Sequence, residues 1–133
     1  MKKKINVLLV DDHQLFIDGM KSILEHEEDI VIAGEATDGG AVLEFLENNT
    51  VDVIVMDVEM KEINGIEATR IIKKKYSDIK VLILTMHNES EFIINLMSIG
   101  ANGYILKNKS KEELVSAIHN GDYSARLNNS ELQ

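Results

Sequence analysis

The sequence predicts a doubly wound α/β fold built on one parallel sheet. Short runs rich in Val, Ile and Leu recur along the chain, and each is followed by a stretch whose apolar residues have helical spacing. The runs lack polar alternation, which is typical of parallel strands that helices cover on both faces. A chain of 133 residues with 44% hydrophobic content is long and apolar enough to form one domain.

Five strand-helix units are expected in chain order. The predicted strands are INVLLV (5–10), IVIAGEA (30–36), VDVIVM (51–56), KVLILT (80–85) and GYILK (103–107). A helix should follow each of them. The helix after the first strand is expected to bury one apolar face, formed by Leu15, Phe16, Met20, Ile23 and Leu24.

Side chains that accept backbone hydrogen bonds mark the start of three later helices. Thr37 and Asp38 precede the second helix, and Asn64 precedes the third. Ser110 and Glu113 have the spacing of a capping box for the fifth. Beyond this helix the chain becomes polar and aperiodic. Residues 1–120 are therefore predicted to form the domain, and residues 121–133 a tail or the start of a linker.

Charge and composition exclude several classes of function. The formal net charge of −9 would repel a phosphate backbone, so this chain alone should not bind nucleic acid. The absence of cysteine excludes disulfides and thiolate metal sites. No apolar stretch approaches the roughly 20 residues of a membrane helix. The apolar run after MKKK ends in two acids without a cleavage site, so a cytoplasmic chain is expected.

Polar side chains stand where four of the predicted strands end. Asp11 and Asp12 end the first strand, Asp57 ends the third, Thr85 ends the fourth and Lys107 ends the fifth. In a doubly wound sheet, reactive groups collect at the carboxyl ends of the strands, and a crevice opens where the winding reverses. These side chains should therefore converge on one site.

Three carboxylates at one edge repel each other and require a compensating cation. Oxygen ligands without His or Cys suit Mg²⁺, or Mn²⁺ as a substitute. Lys107 would add a second positive charge and Thr85 a hydroxyl donor, which makes the site a pocket for a phosphoryl group. Because Asp57 lies centrally among these groups, it is the best candidate nucleophile, and carboxylates do form aspartyl phosphates.

Each of these residues also has an ordinary structural interpretation when taken singly. Acid pairs at strand ends often serve only as helix caps, and a lone Thr or Lys at such a place is usually a strand or surface residue. Tyr104 suits a packing role in a strand as well as a switch. The four histidines lack the spacing of a metal site; His13 and His87 are expected at the rim, and His26 and His119 on the surface.

Short motifs in a fixed order support the functional interpretation. They are DD at 11–12, MD ending at Asp57, NG at 64–65, LT ending at Thr85, GA at 100–101 and YILK at 104–107. With these markers the chain resembles a two-component response regulator receiver domain over about residues 4 to 119. DDHQLF, GIEATR and GANGYILK resemble the NarL/FixJ (LuxR-type) class, whose C-terminal helix-turn-helix domain is absent from this sequence.

The resemblance implies a flavodoxin-like, CheY-like sheet in the order 2-1-3-4-5 and a set of metal and phosphate ligands. Asp57 would accept a phosphoryl group from a sensor histidine kinase. Asp12 and Asp57 would bind Mg²⁺ directly together with the backbone carbonyl of Glu59, and Asp11 would act through a coordinated water. The receiver would catalyse only its own phosphorylation and dephosphorylation, and would not be an enzyme in the metabolic sense.

The resemblance also implies how the phosphate is sensed. Lys107 would pair with phosphoryl oxygens, while Thr85 and Tyr104 would act as switch residues that alter the face formed by the fourth helix, fifth strand and fifth helix. Phosphorylation would promote a homodimer. DNA would be contacted only through the absent C-terminal domain, and no membrane partner is implied.

Three other functions share parts of this pattern. A phosphatase of the haloacid dehalogenase type needs two aspartates one residue apart at the first strand, whereas Asp57 has Glu59 as its partner on the third. A flavodoxin-like FMN carrier needs a phosphate loop rich in Ser, Thr and Gly, where this chain has DDHQLF. A receiver that only mediates contacts would not need Asp57, Thr85 and Lys107 together.

Overall fold

A computed structural model describes residues 4–58, 64–86, 89–107 and 111–120. Its parallel sheet has the order β2-β1-β3-β4-β5. The strands are β1 (Ile5–Val10), β2 (Ile30–Ala36), β3 (Val53–Asp57), β4 (Lys80–Thr85) and β5 (Gly103–Leu106). The helices are α1 (Gln14–Leu24), α2 (Gly39–Asn48), α3 (Gly65–Lys75), α4 (Ser90–Ser98) and α5 (Lys111–Asn120). The predicted fold class and strand order are confirmed.

Two hydrophobic cores lie on opposite faces of the sheet. Successive strand residues point to opposite faces, so Val7 and Leu9 enter one core while Leu8 and Val10 enter the other. Helices α1 and α5 cover the first core, and α2, α3 and α4 cover the second. All of β3 is buried, which explains its continuous apolar sequence.

The strand boundaries differ from the prediction at two places. The third strand was expected over 51–56 but spans Val53–Asp57, because Asp52 forms the turn before it. The Asp52 carboxylate accepts a hydrogen bond from the Asn6 backbone N–H at 2.8 Å, and its carbonyl accepts one from the Lys80 N–H at 3.0 Å. The fifth strand ends one residue early, at Leu106. Asp57 is therefore part of its strand, while Lys107 follows its own.

Two of the predicted helix starts are confirmed by cap geometry. The Asp38 carboxylate accepts a hydrogen bond from the Ala41 N–H at 2.8 Å, and the Asn64 side chain accepts one from the Glu67 N–H at 3.0 Å. The predicted capping box at Ser110 lies outside the described residues, as does the predicted tail, residues 121–133.

The predicted apolar face of α1 is wrong at Leu15, which is 87% exposed. Ile17, Met20 and Leu24 are the buried residues of this helix, and they follow the i, i+3, i+7 row of one helical face. Leu15 lies two positions before Ile17, about 200° away around the helix axis. Within the described residues, no helix is both long and apolar enough to cross a bilayer.

Candidate functional site

Most of the predicted site residues lie together at the carboxyl edge of the sheet. Asp11 and Asp12 come directly after β1, Asp57 is the last residue of β3, and Lys107 directly follows β5. β1 and β3 are adjacent in the sheet, at the point where the chain reverses its winding direction. Because both strands end at this point, three carboxylates meet although 45 residues separate Asp12 from Asp57 along the chain.

Lys107 joins two of these carboxylates. Its Nζ lies 3.1 Å from Asp11 Oδ2 and 3.2 Å from Asp57 Oδ1. Both aspartates are almost completely buried. Burial by itself would lower the pKa of Lys107, but the hydrogen bond to Asp11 and the charges of Asp57 and Asp11 outweigh it, and the pKa is raised above the ordinary lysine value. The ammonium is therefore held in its charged form.

Two further contacts fix the position of Lys107. Its backbone N–H donates a hydrogen bond to the Thr85 carbonyl at 2.9 Å, which ties the end of β5 to the end of β4. The Phe16 ring lies 4.6 Å from Nζ, so α1 contributes a cation-π contact. Phe16 was predicted only as a core residue of α1. Its helical spacing did not predict the contact with Lys107.

His13 is a second residue whose place in the site was underestimated. Its Nδ1 lies 3.1 Å from Asp11 Oδ1 and 3.0 Å from Asp12 Oδ1, although its side chain is 71% exposed. Its backbone N–H also donates to Asp11 Oδ1 at 2.9 Å. The predicted position at the rim is correct, and the imidazole also reaches the acids. His13 directly follows the acid pair in the sequence, and this position, rather than the spacing of a motif, could have predicted that its ring reaches the acids.

The acidic cluster has the composition and geometry of a cation site. Asp11, Asp12, His13 and Asp57 each offer a ligand atom, and these atoms all lie within 4.8 Å of one another. Asp12 Oδ1 is buried and makes no hydrogen bond in the part of the chain that the structure describes, whereas Asp11 Oδ2 is paired with Lys107. The negative charge of the three carboxylates exceeds the single positive charge of Lys107, so the cluster has room for a further cation. A set of ligands that is mostly oxygen fits Mg²⁺ or Mn²⁺.

The remaining predicted site residues lie beside or outside this cluster. Thr85 ends β4 and is buried, and Tyr104 on β5 is buried in the core under α2, α3 and α4. Glu59, whose carbonyl is a predicted metal ligand, and His87 lie outside the described residues. His119 is exposed, as predicted, and its Nε2 lies 2.9 Å from Asp29 Oδ2.

Fold and site together define a class of protein. The chain is a doubly wound α/β domain whose winding reversal carries a buried carboxylate cluster with an ion-paired lysine. Residues 7–119 match the family model described as the response regulator receiver domain. The chain belongs to this family, whose general function is phosphorylation on aspartate, and it is a regulatory rather than a metabolic protein.

Individual relatives support the assignment and its class. Response regulator UvrY of Escherichia coli (strain K12) is 44% identical over 114 residues, which cover 86% of this chain and 52% of the relative. The signal receiver domain of the putative response regulator NarL from Mycobacterium tuberculosis superposes with a TM-score of 0.84 at 28% identity, covering 90% of this chain and 96% of that one. The predicted likeness to the NarL class is confirmed.

A third comparison concerns an isolated receiver domain. The isolated receiver domain of RcsB from Salmonella enterica serovar Typhimurium, solved in the presence of the phosphomimetic BeF3−, has a TM-score of 0.81 at 26% identity, covering 88% of this chain and 87% of that one. The chain spans about half the length of the curated relatives it matches. Proteins of this family are partners of histidine kinases and often dimerise.

Proposed function

We propose that Asp57 accepts a phosphoryl group from the phosphohistidine of a sensor kinase in a Mg²⁺-dependent reaction. The observation that carries this proposal is the environment of Asp57. It is buried at the end of β3, its Oδ1 lies 3.2 Å from Lys107 Nζ, and it shares one cluster with Asp11 and Asp12. A carboxylate held rigidly between a cation and an acid pair suits phosphoryl transfer.

In the proposed reaction a carboxylate oxygen of Asp57 forms a bond to phosphorus while the phosphorus–nitrogen bond to the kinase imidazole breaks. The products are an acyl phosphate and a free histidine. Lys107 moves its ion pair from the Asp57 carboxylate to the phosphoryl oxygens, and its raised pKa keeps it charged for this role. Hydrolysis of the acyl phosphate at the same site returns Asp57 to its carboxylate form.

The metal ligands are proposed on the same basis. Asp12 and Asp57 would hold Mg²⁺ together with the carbonyl of Glu59, while Asp11, already paired with Lys107, would act through a coordinated water. The buried Asp12 Oδ1, which makes no hydrogen bond among the described residues, fits a direct ligand. When bound, the ion neutralises charge on the phosphoryl and carboxylate oxygens.

The proposed output is a change in dimerisation. Thr85 would turn toward the phosphoryl group and Tyr104 would follow inward, shifting a two-state equilibrium of the α4–β5–α5 face. Because the matched relatives are about twice as long as this chain, a transcriptional output through a C-terminal DNA-binding domain is proposed for the longer protein only.

Intact-mass analysis after incubation with Mg²⁺ and acetyl phosphate tests the central proposal. We expect one added phosphate that is labile to hydroxylamine, is lost on removal of Mg²⁺ and is lost in Asp57→Asn. Asp78→Asn is the matched control, because Asp78 is an exposed acid next to β4 at the opposite edge of the sheet. Modification that persists in Asp57→Asn would refute the assignment, and steady phosphate release from many esters would favour a phosphatase.

A further inference from the structure

His13 lies where a metal ligand would lie, and its contact with Asp12 is not that of a simple hydrogen bond. Its Nδ1 is 3.0 Å from Asp12 Oδ1, yet Asp12 Oδ1 makes no hydrogen bond within the described residues. The two atoms converge without the alignment that a donor and an acceptor require. Two atoms that bind the same metal ion approach each other closely without such alignment.

A second contact of the ring is a hydrogen bond between Nδ1 and Asp11 Oδ1 at 3.1 Å. Asp11 Oδ1 receives the backbone N–H of His13 at 2.9 Å, so this oxygen has a donor with or without the imidazole. The side chain is 71% exposed and could extend into solvent, but Nδ1 instead lies against both carboxylates. The hydrogen bond to Asp11 therefore does not account for the approach of Nδ1 to Asp12 Oδ1 at 3.0 Å.

The separations match the first coordination sphere of a small divalent ion. Ligand bonds of about 2.1 Å at right angles place neighbouring donor atoms about 3 Å apart, and opposite ones about 4.2 Å apart. The distance from Asp12 Oδ1 to His13 Nδ1 is 3.0 Å, and all four donors of the cluster lie within 4.8 Å of one another. Asp11 Oδ2, in contrast, is already paired with Lys107 Nζ at 3.1 Å.

We propose that His13 Nδ1 is a ligand of the divalent ion held by this cluster and that it shifts the preference of the site from Mg²⁺ toward later divalent metals such as Co²⁺. This inference rests on the proposed metal site. Mg²⁺ favours oxygen ligands, whereas imidazole nitrogen stabilises Co²⁺ and its neighbours more strongly. Nδ1 must then be unprotonated, with the ring hydrogen on the solvent-facing Nε2.

A second group of metal-ligating side chains makes a useful control. Glu27, Asp29 and His119 also offer atoms within 4.8 Å of one another, but all three side chains are partly exposed, and none of their atoms is buried without a hydrogen bond. His119 Nε2 is already paired with Asp29. Added Co²⁺ or Mn²⁺ could nevertheless bind to this group. The experiment must therefore distinguish binding here from binding at the cluster of Asp11, Asp12, His13 and Asp57.

Pulsed EPR of bound Mn²⁺ tests whether nitrogen is a ligand, and calorimetry of Mg²⁺ and Co²⁺ binding tests the preference. We expect wild type to show a nitrogen modulation that disappears in His13→Gln and persists in His119→Gln and His26→Gln. Gln offers an oxygen donor but no imidazole. His13→Gln should therefore lower Co²⁺ affinity on the order of tenfold more than Mg²⁺ affinity.

The possible results assign the nitrogen to one place or refute the inference. A nitrogen signal lost in His119→Gln but kept in His13→Gln would place the ion at the second group and overturn the proposal. An unchanged ratio of Co²⁺ to Mg²⁺ affinity in His13→Gln would also overturn it. In either case, Mg²⁺-dependent phosphorylation of Asp57 in wild type would show that the proposed function stands. If wild type showed neither the nitrogen signal nor this phosphorylation, the histidine ligand and the proposed function would both be refuted.

Discussion

At the scale of single residues, Lys107 determines whether the acidic cluster is stable without a metal. It pairs with Asp11 and Asp57, both almost fully buried, and the Phe16 ring lies over its ammonium group. Breaking a buried ion pair from one side leaves an uncompensated charge, which costs more than the net contribution of the pair itself. The same residue is proposed to bind phosphate, so stability and sensing depend on one ammonium group.

Substituting Lys107→Met should therefore lower the free energy of unfolding by about 3 kcal/mol in metal-free buffer. Added Mg²⁺ should restore part of this loss, because it supplies a cation to the same carboxylates. Urea denaturation with and without Mg²⁺ measures both effects. Lys74→Met is the control, since Lys74 is an exposed residue near the end of α3. Equal losses in the two variants would contradict this account of Lys107.

The pH dependence of the same variant follows from its raised pKa. A group whose pKa is raised on folding contributes stability that is complete below its unfolded pKa and is lost as pH rises through the folded value. The difference between wild type and Lys107→Met should thus be constant from neutral pH up to the ordinary lysine value of 10.5 and decrease above it. A difference that shrinks between neutral pH and that value would refute this assignment.

At the scale of secondary structure, the close approach of α3 to β3 sets the backbone around Asp57. A Cβ on Gly65, the first residue of α3, would lie 2.4 Å from the Asp57 carbonyl oxygen and 2.8 Å from Val58 Cα. Both contacts are with backbone, which has little room to move. The Gly65 N–H also donates a hydrogen bond to the Val58 carbonyl at 3.1 Å. Glycine is therefore needed for the helix to begin beside the proposed nucleophile.

Two glycine substitutions should have opposite effects on stability. Gly65→Ala should destabilise the domain by about 1–3 kcal/mol, because α3 must shift away from the end of β3. Gly19→Ala should stabilise it by about 0.5–1 kcal/mol, because Gly19 is inside α1 and an added Cβ would meet nothing within 4 Å. Thermal denaturation of both variants checks the signs. Stabilisation in both variants would show that the space beside Asp57 is not restricted.

At the scale of the whole molecule, the sheet connects the proposed phosphate site to the second core, under α2, α3 and α4. Thr85 and Tyr104 lie on neighbouring strands, where Thr85 pairs with Leu106 and Tyr104 pairs with Ile83. Tyr104 is buried under the helices of the second core. In the proposed switch, a group added at the carboxyl edge would change packing beneath α4 without unfolding the domain. The net charge of −9 opposes association of two copies, so dimerisation requires a specific surface.

Beryllium fluoride with Mg²⁺ should mimic the phosphate on Asp57 and increase the average mass in sedimentation if dimerisation is the output. Fluoride with Mg²⁺ alone, and Asp57→Asn with the complete mixture, should remain at the mass of the untreated protein. An unchanged sedimentation coefficient in wild type, together with successful phosphorylation by acetyl phosphate, would refute dimerisation and leave the phosphoacceptor proposal in place.

The sequence alone determined the fold class and the polar residues at the strand ends. It gave the strand order only through the resemblance to a family. Parallel strands joined by helices place their carboxyl ends at one edge, so Asp11, Asp57 and Lys107 could be grouped from their order along the chain. Tertiary structure alone decided how α1 is rotated over the sheet. That rotation exposes Leu15 and brings Phe16 over Lys107. Helical periodicity limits which residues share a face, but a side-chain contact across elements depends on packing between parts of the chain that are distant in sequence.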